Sequence, residues 1–419
     1  MHSLAFVVVA LGILGFGLIS QRVQTSVLTP PIVFVALGLA VSGILDLELG
    51  EGLVHTLAEL TLVLVLFTDA SRINLRLLRR EHNLPVRLLA LGMPLTVVLG
   101  TLAAIWLFPG FTAWEAALLA AVLAPTDAAL GQAVVSSPRV PVRIRQTLNV
   151  ESGLNDGIAL PLVLIVMSMC ASSVPGEGGA SYWLRFAALQ VTLGPLTGAL
   201  VGWVGGRLVE WGTKNRWMSD TFRHLSSLGL ALLAYAGAEL VGGNGFIAAF
   251  VAGLTVGNTV SGLGEALVEF AEAEGQLLTL LVFLTFGATM VPDVFAHLSW
   301  QAVVYGVLSL TVLRMLPVAM SLMGSGLSRP TVLFLGWFGP RGIASILFGL
   351  LVVAERSVLI HNEEIFLVVV VTVLLSVVAH GVTAYPGSLW YSRHAEGLHE
   401  SAAERRDVAE MPVRIRHAG

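Results

Sequence analysis

The sequence predicts an all-α polytopic membrane protein with about thirteen transmembrane helices. Three observations carry this reading. Of 419 residues, 56% are hydrophobic and only 12% are charged, where a soluble globular chain carries about 25% charged residues. That leaves too little polar surface to coat a water-soluble body of this size. The apolar residues form continuous runs, not ten-residue alternations, which selects helices over a barrel. Positive charge collects in alternate loops between those runs, as expected of a chain that crosses a bilayer repeatedly.

The same composition excludes other classes. High hydrophobicity with a net charge of −4 excludes a disordered chain. A single lysine, Lys214, and no aromatic–basic patch argue against a nucleic-acid partner. One cysteine, Cys170, excludes an internal disulfide framework and a cysteine-based metal centre. No cofactor is expected. The N-terminus lacks the basic region and small-residue cleavage site of a signal peptide, so its apolar stretch is read as an uncleaved helix.

A helix needs about 20 apolar residues to cross about 30 Å of hydrocarbon. Windows of that length fall near residues 4–20, 26–45, 52–70, 85–108, 113–136, 146–170, 182–211, 222–241, 245–258, 276–291, 299–323, 331–353 and 364–386. The ninth is short, and a Gly-rich bend (Gly242, Gly243, Gly245) offers to join it to its neighbour, which makes twelve spans the fallback. Arg72, Arg76, Arg79, Arg80 and Arg87 follow span three. Arg139, Arg143 and Arg145 follow span five, Lys214, Arg216 and Arg223 follow span seven, and Arg329 follows span eleven. These loops share one side, which is assigned as cytoplasmic. The expected location is therefore the cell (inner) membrane, with the N-terminus outside and the C-terminus cytoplasmic. The tail from Arg393 onward is charge-balanced and expected to be mobile. Glu265, Glu269, Glu272 and Glu274, in the 259–275 loop, are expected on a solvated face of an interfacial helix.

Ionisable groups inside spans cost roughly 2.5–3.5 kcal/mol each on insertion scales, so they mark function by default. Span five carries Ala-Pro-Thr-Asp-Ala-Ala-Leu-Gly at 124–131. Pro125 and Gly131 should interrupt this helix and free backbone carbonyls beside Thr126 and Asp127. Unwound backbone at membrane depth survives only where it lines a cavity. Span six carries Glu-Ser-Gly-Leu-Asn-Asp-Gly at 151–157. Ser152 and Asp156, four apart, share one face. Glu151 and Asn155 share another, about 100° away, and should meet a different neighbour. Gly153 and Gly157 should admit a close backbone approach. Span twelve carries Trp-Phe-Gly-Pro-Arg-Gly-Ile-Ala-Ser at 337–345, a second interrupted helix. Its Arg341 needs an anionic partner, for which Glu151 is the natural candidate, and Arg314 in span eleven competes for the same carboxylate.

The two breaks sit at corresponding places in opposite halves of the chain and in opposed orientations. That is the inverted-repeat pattern of secondary transporters, with two discontinuous helices crossing at the site. Asp156, Asp127, Ser152 and the Thr126 carbonyl form an all-oxygen set suited to a hard monovalent cation. A carboxylate partly withdrawn from water can hold either a proton or a cation, and that competition is an exchange mechanism. Other polar residues have plainer readings. Asp69 and Arg72 are expected to form a surface ion pair. Glu59 and Glu239 carry no assigned role. His55, His297, His361 and His380 lack ligand spacing and are expected at interfaces, and His394 and His399 lie in the tail.

The motifs APTDAAL (124–130), ESGLNDG (151–157) and FGPRGIAS (338–345), in that order, resemble the monovalent cation:proton antiporters of sodium/proton exchanger type, most closely the prokaryotic NhaP-like branch. The resemblance spans essentially the whole chain. It implies exchange of Na⁺ or Li⁺ for H⁺ in pH and sodium homeostasis, with a K⁺/H⁺ exchanger as the alternative. It also implies a homodimer. In the implied division, residues 84–172 and 299–390 form the transport core, and residues 1–83 and 218–298 form a dimerisation domain. Residues 173–217 are the linker helix and 391–419 the tail. By resemblance the ion ligands are Thr126, Asp127, Ser152 and Asp156, Glu151 pairs with Arg314 or Arg341, and Asn155 marks electroneutral exchange. Ala128 departs from the family pattern, where Pro is common. A channel is a weaker reading, and so is an intramembrane hydrolase built on Ser152 or the Asp127–Asp156 pair.

Overall fold

The computed structural model describes residues 2–23, 26–45, 51–80, 83–127, 130–135, 137–172, 180–260, 264–354, 359–406 and 408. Among these residues every regular element is helical. The chain opens with α1 (His2–Val23), α2 (Pro30–Leu45), α3 (Glu51–Ser71) and the short α4 (Leu75–Arg80). Next, α5 (Asn83–Arg87) runs through a π turn (Leu88–Gly92) into α6 (Met93–Leu107). One predicted span is split into α7 (Ala113–Val122) and α8 (Gln132–Val135). Then follow α9 (Val142–Ser172), α10 (Ala180–Lys214), α11 (Asp220–Leu240) and α12 (Gly245–Thr259). A second π turn (Phe286–Met290) joins α13 (Gly264–Thr285) to α14 (Val291–His297). The last spans are α15 (Trp300–Leu310) with α16 (Val312–Ser321), α17 (Arg329–Trp337) with α18 (Ile343–Ala354), and α19 (Asn362–Glu396).

Each predicted window falls on one of these helices or helix pairs. Among the described residues six stretches, Val142–Ala171 and Asn362–Glu396 among them, are by themselves long and apolar enough to cross a membrane. The short ninth span is a separate helix. Gly242 takes a left-handed φ of +78° in the turn before it, a conformation that costs glycine nothing. Asn244 then caps α12 by accepting the Ile247 N–H at 3.0 Å. Both π turns precede a proline, Pro94 and Pro292, in the first turn of the helix that follows. A proline has no N–H for the regular ladder, and a local i→i+5 turn accommodates that loss.

Two groups of helices pack among themselves: α2, α3 and α10–α13 in one, and α6, α7, α9 and α15–α19 in the other. Helix α9, which carries the ESGLNDG motif, also packs against α3, α10 and α12. Span eleven is interrupted as well, at Thr311 (φ −111°, ψ −95°), a feature without a sequence signal. The acidic strip begins within α13, and its glutamate side chains lie outside the described residues.

The described part of the tail is docked, contrary to the mobile segment expected. Its short turn, Ala403–Arg405, bonds to the start of α17. Glu404 is 2% exposed. Its carboxylate accepts the Ser328 N–H at 2.7 Å and the Thr331 hydroxyl at 2.9 Å. The first N–H groups of a helix lack internal partners and carry partial positive charge, so a carboxylate supplied from elsewhere in the chain satisfies both. Arg405 donates to the Ala395 carbonyl at 2.8 Å, and Arg143 donates to the Ala403 carbonyl. Polar composition alone could not reveal this, because the partner helix is 76 residues away.

Burial raises the Glu404 carboxyl, but hydrogen bonds from Ser328, its own backbone and Thr331 outweigh it and leave it below the usual carboxylate range. A depressed folded-state value means the docking energy is present above the unfolded value, about 4.3, and is lost as pH falls through the folded one. The tail is therefore expected to stay docked at neutral pH. Glu404→Ala should loosen it by about 1 kcal/mol, the worth of a helix cap. Limited proteolysis checks this: cleavage after Glu396 should be faster in the variant at pH 7, and equal rates would refute the docked arrangement.

Candidate functional site

The two predicted breaks exist and they meet. Helix α7 ends at Val122 and α8 resumes at Gln132. Helix α17 ends at Trp337 and α18 starts at Ile343. The intervening stretches are laced together. Asp127 donates its N–H to the Pro340 carbonyl at 2.8 Å, and its Oδ2 accepts the Ile343 N–H at 2.9 Å. Asp127 thus places a carboxylate at the positive N-terminus of α18. In return, Arg341 donates to the carbonyls of Ala124 and Pro125, where the chain leaves α7. The Ser345 hydroxyl reaches the Val122 carbonyl at 2.9 Å. Glycine is required at 342, because a Cβ there would fall on the Asp127 carboxylate.

Glu151, Ser152, Asn155 and Asp156 of α9 are all buried, at 2%, 8%, 2% and 8% exposure. The Thr126 hydroxyl ties the α7 break to α9: it lies 3.1 Å from Ser152 Oγ and accepts the Asn155 Nδ2–H at 2.6 Å. Asn155 and Ser152 therefore converge on one residue. The i, i+4 relation alone predicts different neighbours for them, but residues three apart are neighbours too. The Asn155 Oδ1 is buried and has no hydrogen-bond donor among the described residues. Gly157 does not admit a second backbone as expected; the Phe250 ring of α12 occupies the place of its Cβ.

The ion pair is settled in favour of Arg314. Its two terminal nitrogens donate to the Glu151 carboxylate at 2.5 and 2.8 Å, a bidentate contact between side chains each 3% exposed. Arg341, at 0% exposure, is not the partner of Glu151. It acts instead on the carbonyl end of α7, where a cation is favoured by the helix dipole. Gly339 lies so close to the Arg314 guanidinium that a Cβ would overlap it.

The remaining polar residues fall outside this constellation. Asp69 and Arg72 do pair, at 3.7 Å, but with side chains 16% and 5% exposed they are not on the surface. Glu59 accepts a hydrogen bond from the Tyr235 hydroxyl, and Glu239 accepts the Gly245 N–H at 2.8 Å. His361 contacts Glu115 at 3.2 Å, His297 is exposed, and His55 has a side chain outside the described residues. His380 is 1% exposed and not interfacial as expected. In the tail, His394 meets Ser328 Oγ at 3.0 Å. Among the described residues no three His, Cys, Asp or Glu side chains cluster as a metal site.

Residues 5–387 match the family described as "Sodium/hydrogen exchanger, transmembrane". The chain belongs to that family. It is accordingly a multi-pass cation:proton antiporter, a transporter and not an enzyme, which removes the hydrolase reading. Over 403 residues it is 26% identical to the K(+)/H(+) antiporter NhaP of Alkalimonas amylolytica, covering 93% of this chain and 67% of that protein. Over 312 residues it is 23% identical to a Na(+)/H(+) antiporter of Schizosaccharomyces pombe, covering 68% of this chain and 66% of that one. In fold it is similar to the sodium proton antiporter MjNhaP1 from Methanocaldococcus jannaschii, with a TM-score of 0.73 at 19% identity over 91% of this chain and 96% of that structure's. The NhaP-like resemblance read from the three motifs is borne out.

Proposed function

We propose that this sodium/hydrogen exchanger family member exchanges Na⁺ or Li⁺ for one proton by alternating access, with Asp156 as the carboxylate that holds one or the other. The cation exchanges its hydration shell for oxygens of Asp156, Ser152, Asp127 and Thr126, a hard set for a hard ion. The observation that carries this reading is the Thr126 hydroxyl bonded to both Ser152 and Asn155, which holds the Asp156-bearing stretch of α9 against unwound backbone. Such backbone beside a carboxylate is the usual construction of a cation site in transporters.

Charge counting supports electroneutral exchange. Glu151 is neutralised by Arg314. Asp127 has one oxygen committed to the α18 N-terminus, and Asn155 carries no charge. Asp156 is then the group that trades one positive charge for another. An empty, charged site is costly to move through low dielectric, which suppresses leak. Asn155→Asp adds a second carboxylate and should make exchange sensitive to membrane potential; insensitivity in that variant removes Asn155 as the determinant. The protein would act as a homodimer in the cell membrane, with the tail cytoplasmic, in pH and sodium homeostasis.

The deciding experiment uses everted vesicles with an imposed pH gradient and a cation series. Addition of Na⁺ or Li⁺ should dissipate the gradient. A response to K⁺ alone would transfer the assignment to K⁺/H⁺ exchange, which the name of the Alkalimonas relative keeps in view. No response to any alkali cation would sink the reading.

A further inference from the structure

Among the polar side chains of helix α19 are Ser376, His380 and Thr383, at i, i+4 and i+7. That spacing puts them on one face, and all three bond to the interrupted helix of span twelve. His380 Nε2 lies 2.9 Å from the carbonyl of Trp337, the last residue of α17. Ser376 Oγ accepts the Arg341 N–H at 2.7 Å, inside the break. Thr383 Oγ1 accepts the Trp337 indole N–H at 2.9 Å. The imidazole connects the two sides of the break. A neutral imidazole has one N–H and each ring nitrogen faces a carbonyl; we assign the hydrogen to Nε2, because Nδ1 has a hydroxyl to accept from and Nε2 has only the Trp337 carbonyl. Nδ1 faces the Ser376 hydroxyl at 3.1 Å and the Ser376 carbonyl at 3.0 Å. Nδ1 can then accept the hydroxyl hydrogen, which leaves the Ser376 oxygen to receive the Arg341 N–H.

We propose that His380 is a positioning residue for cation exchange: through Trp337 on one side and Ser376–Arg341 on the other, it fixes the width of the span-twelve break. That width matters because everything at the crossing hangs from it. Between Trp337 and Ile343 the chain packs Gly339 on Arg314, gives the Pro340 carbonyl to Asp127, sends Arg341 to the α7 terminus and brings Gly342 under the Asp127 carboxylate. The Trp337 carbonyl, at the end of α17, also accepts the Gly339 N–H at 2.9 Å, a bond within the break itself, so His380 is what ties it to a neighbouring helix. Without the His380 donor, the Trp337 carbonyl loses a fixed anchor. The slack passes along the break into the backbone of residues 126 and 127. His380 touches none of the proposed ligands and acts as an outer-shell support, of the kind whose loss costs about 10–100-fold in metal affinity.

This inference rests on the proposed ligand role of Thr126 and Asp127. The test compares His380→Leu, which removes the donor, with His380→Gln, whose amide nitrogen replaces Nε2. Both are reconstituted in proteoliposomes, and exchange is driven by whichever alkali cation the wild type uses. The leucine variant should raise the half-saturating cation concentration roughly tenfold, with a smaller change in maximal rate, and the glutamine variant should restore it. Equal half-saturation in the leucine variant and wild type overturns the proposal. So does a loss confined to the amount of folded protein. Should His380→Leu not fold, Ser376→Ala carries the same test, and an unchanged half-saturation there overturns it equally. Asp156→Asn is run in parallel: continued exchange in that variant defeats the ligand assignment, a result separate from the leucine-to-glutamine comparison.

Discussion

Asp156→Asn is expected to reduce cation-driven proton movement to background while the protein remains folded. The substitution is nearly isosteric at a position 8% exposed, so the local packing is kept. The chemistry is lost on both counts. An amide does not bind and release a proton near neutral pH, and it offers a dehydrated cation no counter-charge. Leaving a buried charge uncompensated costs about 3–5 kcal/mol, roughly two to four powers of ten in affinity. Vesicle assays of gradient dissipation give the readout, with size-exclusion profiles as the control for folding. Asp127→Asn provides the contrast. Its amide oxygen can still accept the Ile343 N–H, so the crossing stays capped and a weaker, partial loss is expected. Normal exchange in Asp156→Asn, or an equal and complete loss in both, would end the assignment of Asp156 as the exchanging carboxylate.

Some of this site could be read from the sequence and some could not, for physical reasons. The two breaks were legible because Pro125 and Gly339-Pro340 act on the chain locally. Burial of Asp156 was legible because a carboxylate amid apolar runs has no other place. The choice between Arg314 and Arg341 was not. Sequence gives a residue's depth along a span, but its direction only where the helix is regular. Arg341 lies inside a break, and Arg314 follows an interruption at Thr311 that no proline or glycine marks. The Thr126 hydroxyl was not legible, because Pro125 marks where backbone carbonyls are freed but says nothing of where the next side chain points. His380 reads as interfacial from the sequence, because a lone histidine in an apolar run gives no sign of its acceptor, 43 residues away. The docked tail failed for the same reason: composition reports solvation, not a distant helix end.

The second large effect concerns stability. Removing either side chain of the Glu151–Arg314 pair leaves a charge buried without its partner, a loss of about 3–5 kcal/mol. That is a large share of the 5–15 kcal/mol by which domains are stable, so Glu151→Ala and Arg314→Ala should each yield little folded protein after mild heating. Because the two groups touch, their effects should not add. Replacing both with methionine removes the two charges together and fills most of the space, which is often near neutral for buried pairs. The double variant should therefore recover the folded peak in fluorescence-detected gel filtration. Combining Glu151→Met with Arg341→Met should not. Arg341 bonds the Ala124 and Pro125 carbonyls, so its removal unties the end of α7 while Arg314 still lacks its carboxylate. Rescue by the Arg341 change in place of the Arg314 change would show that the crossing is held together differently from the arrangement described, and with it the charge count that makes Asp156 the one-for-one exchanging group.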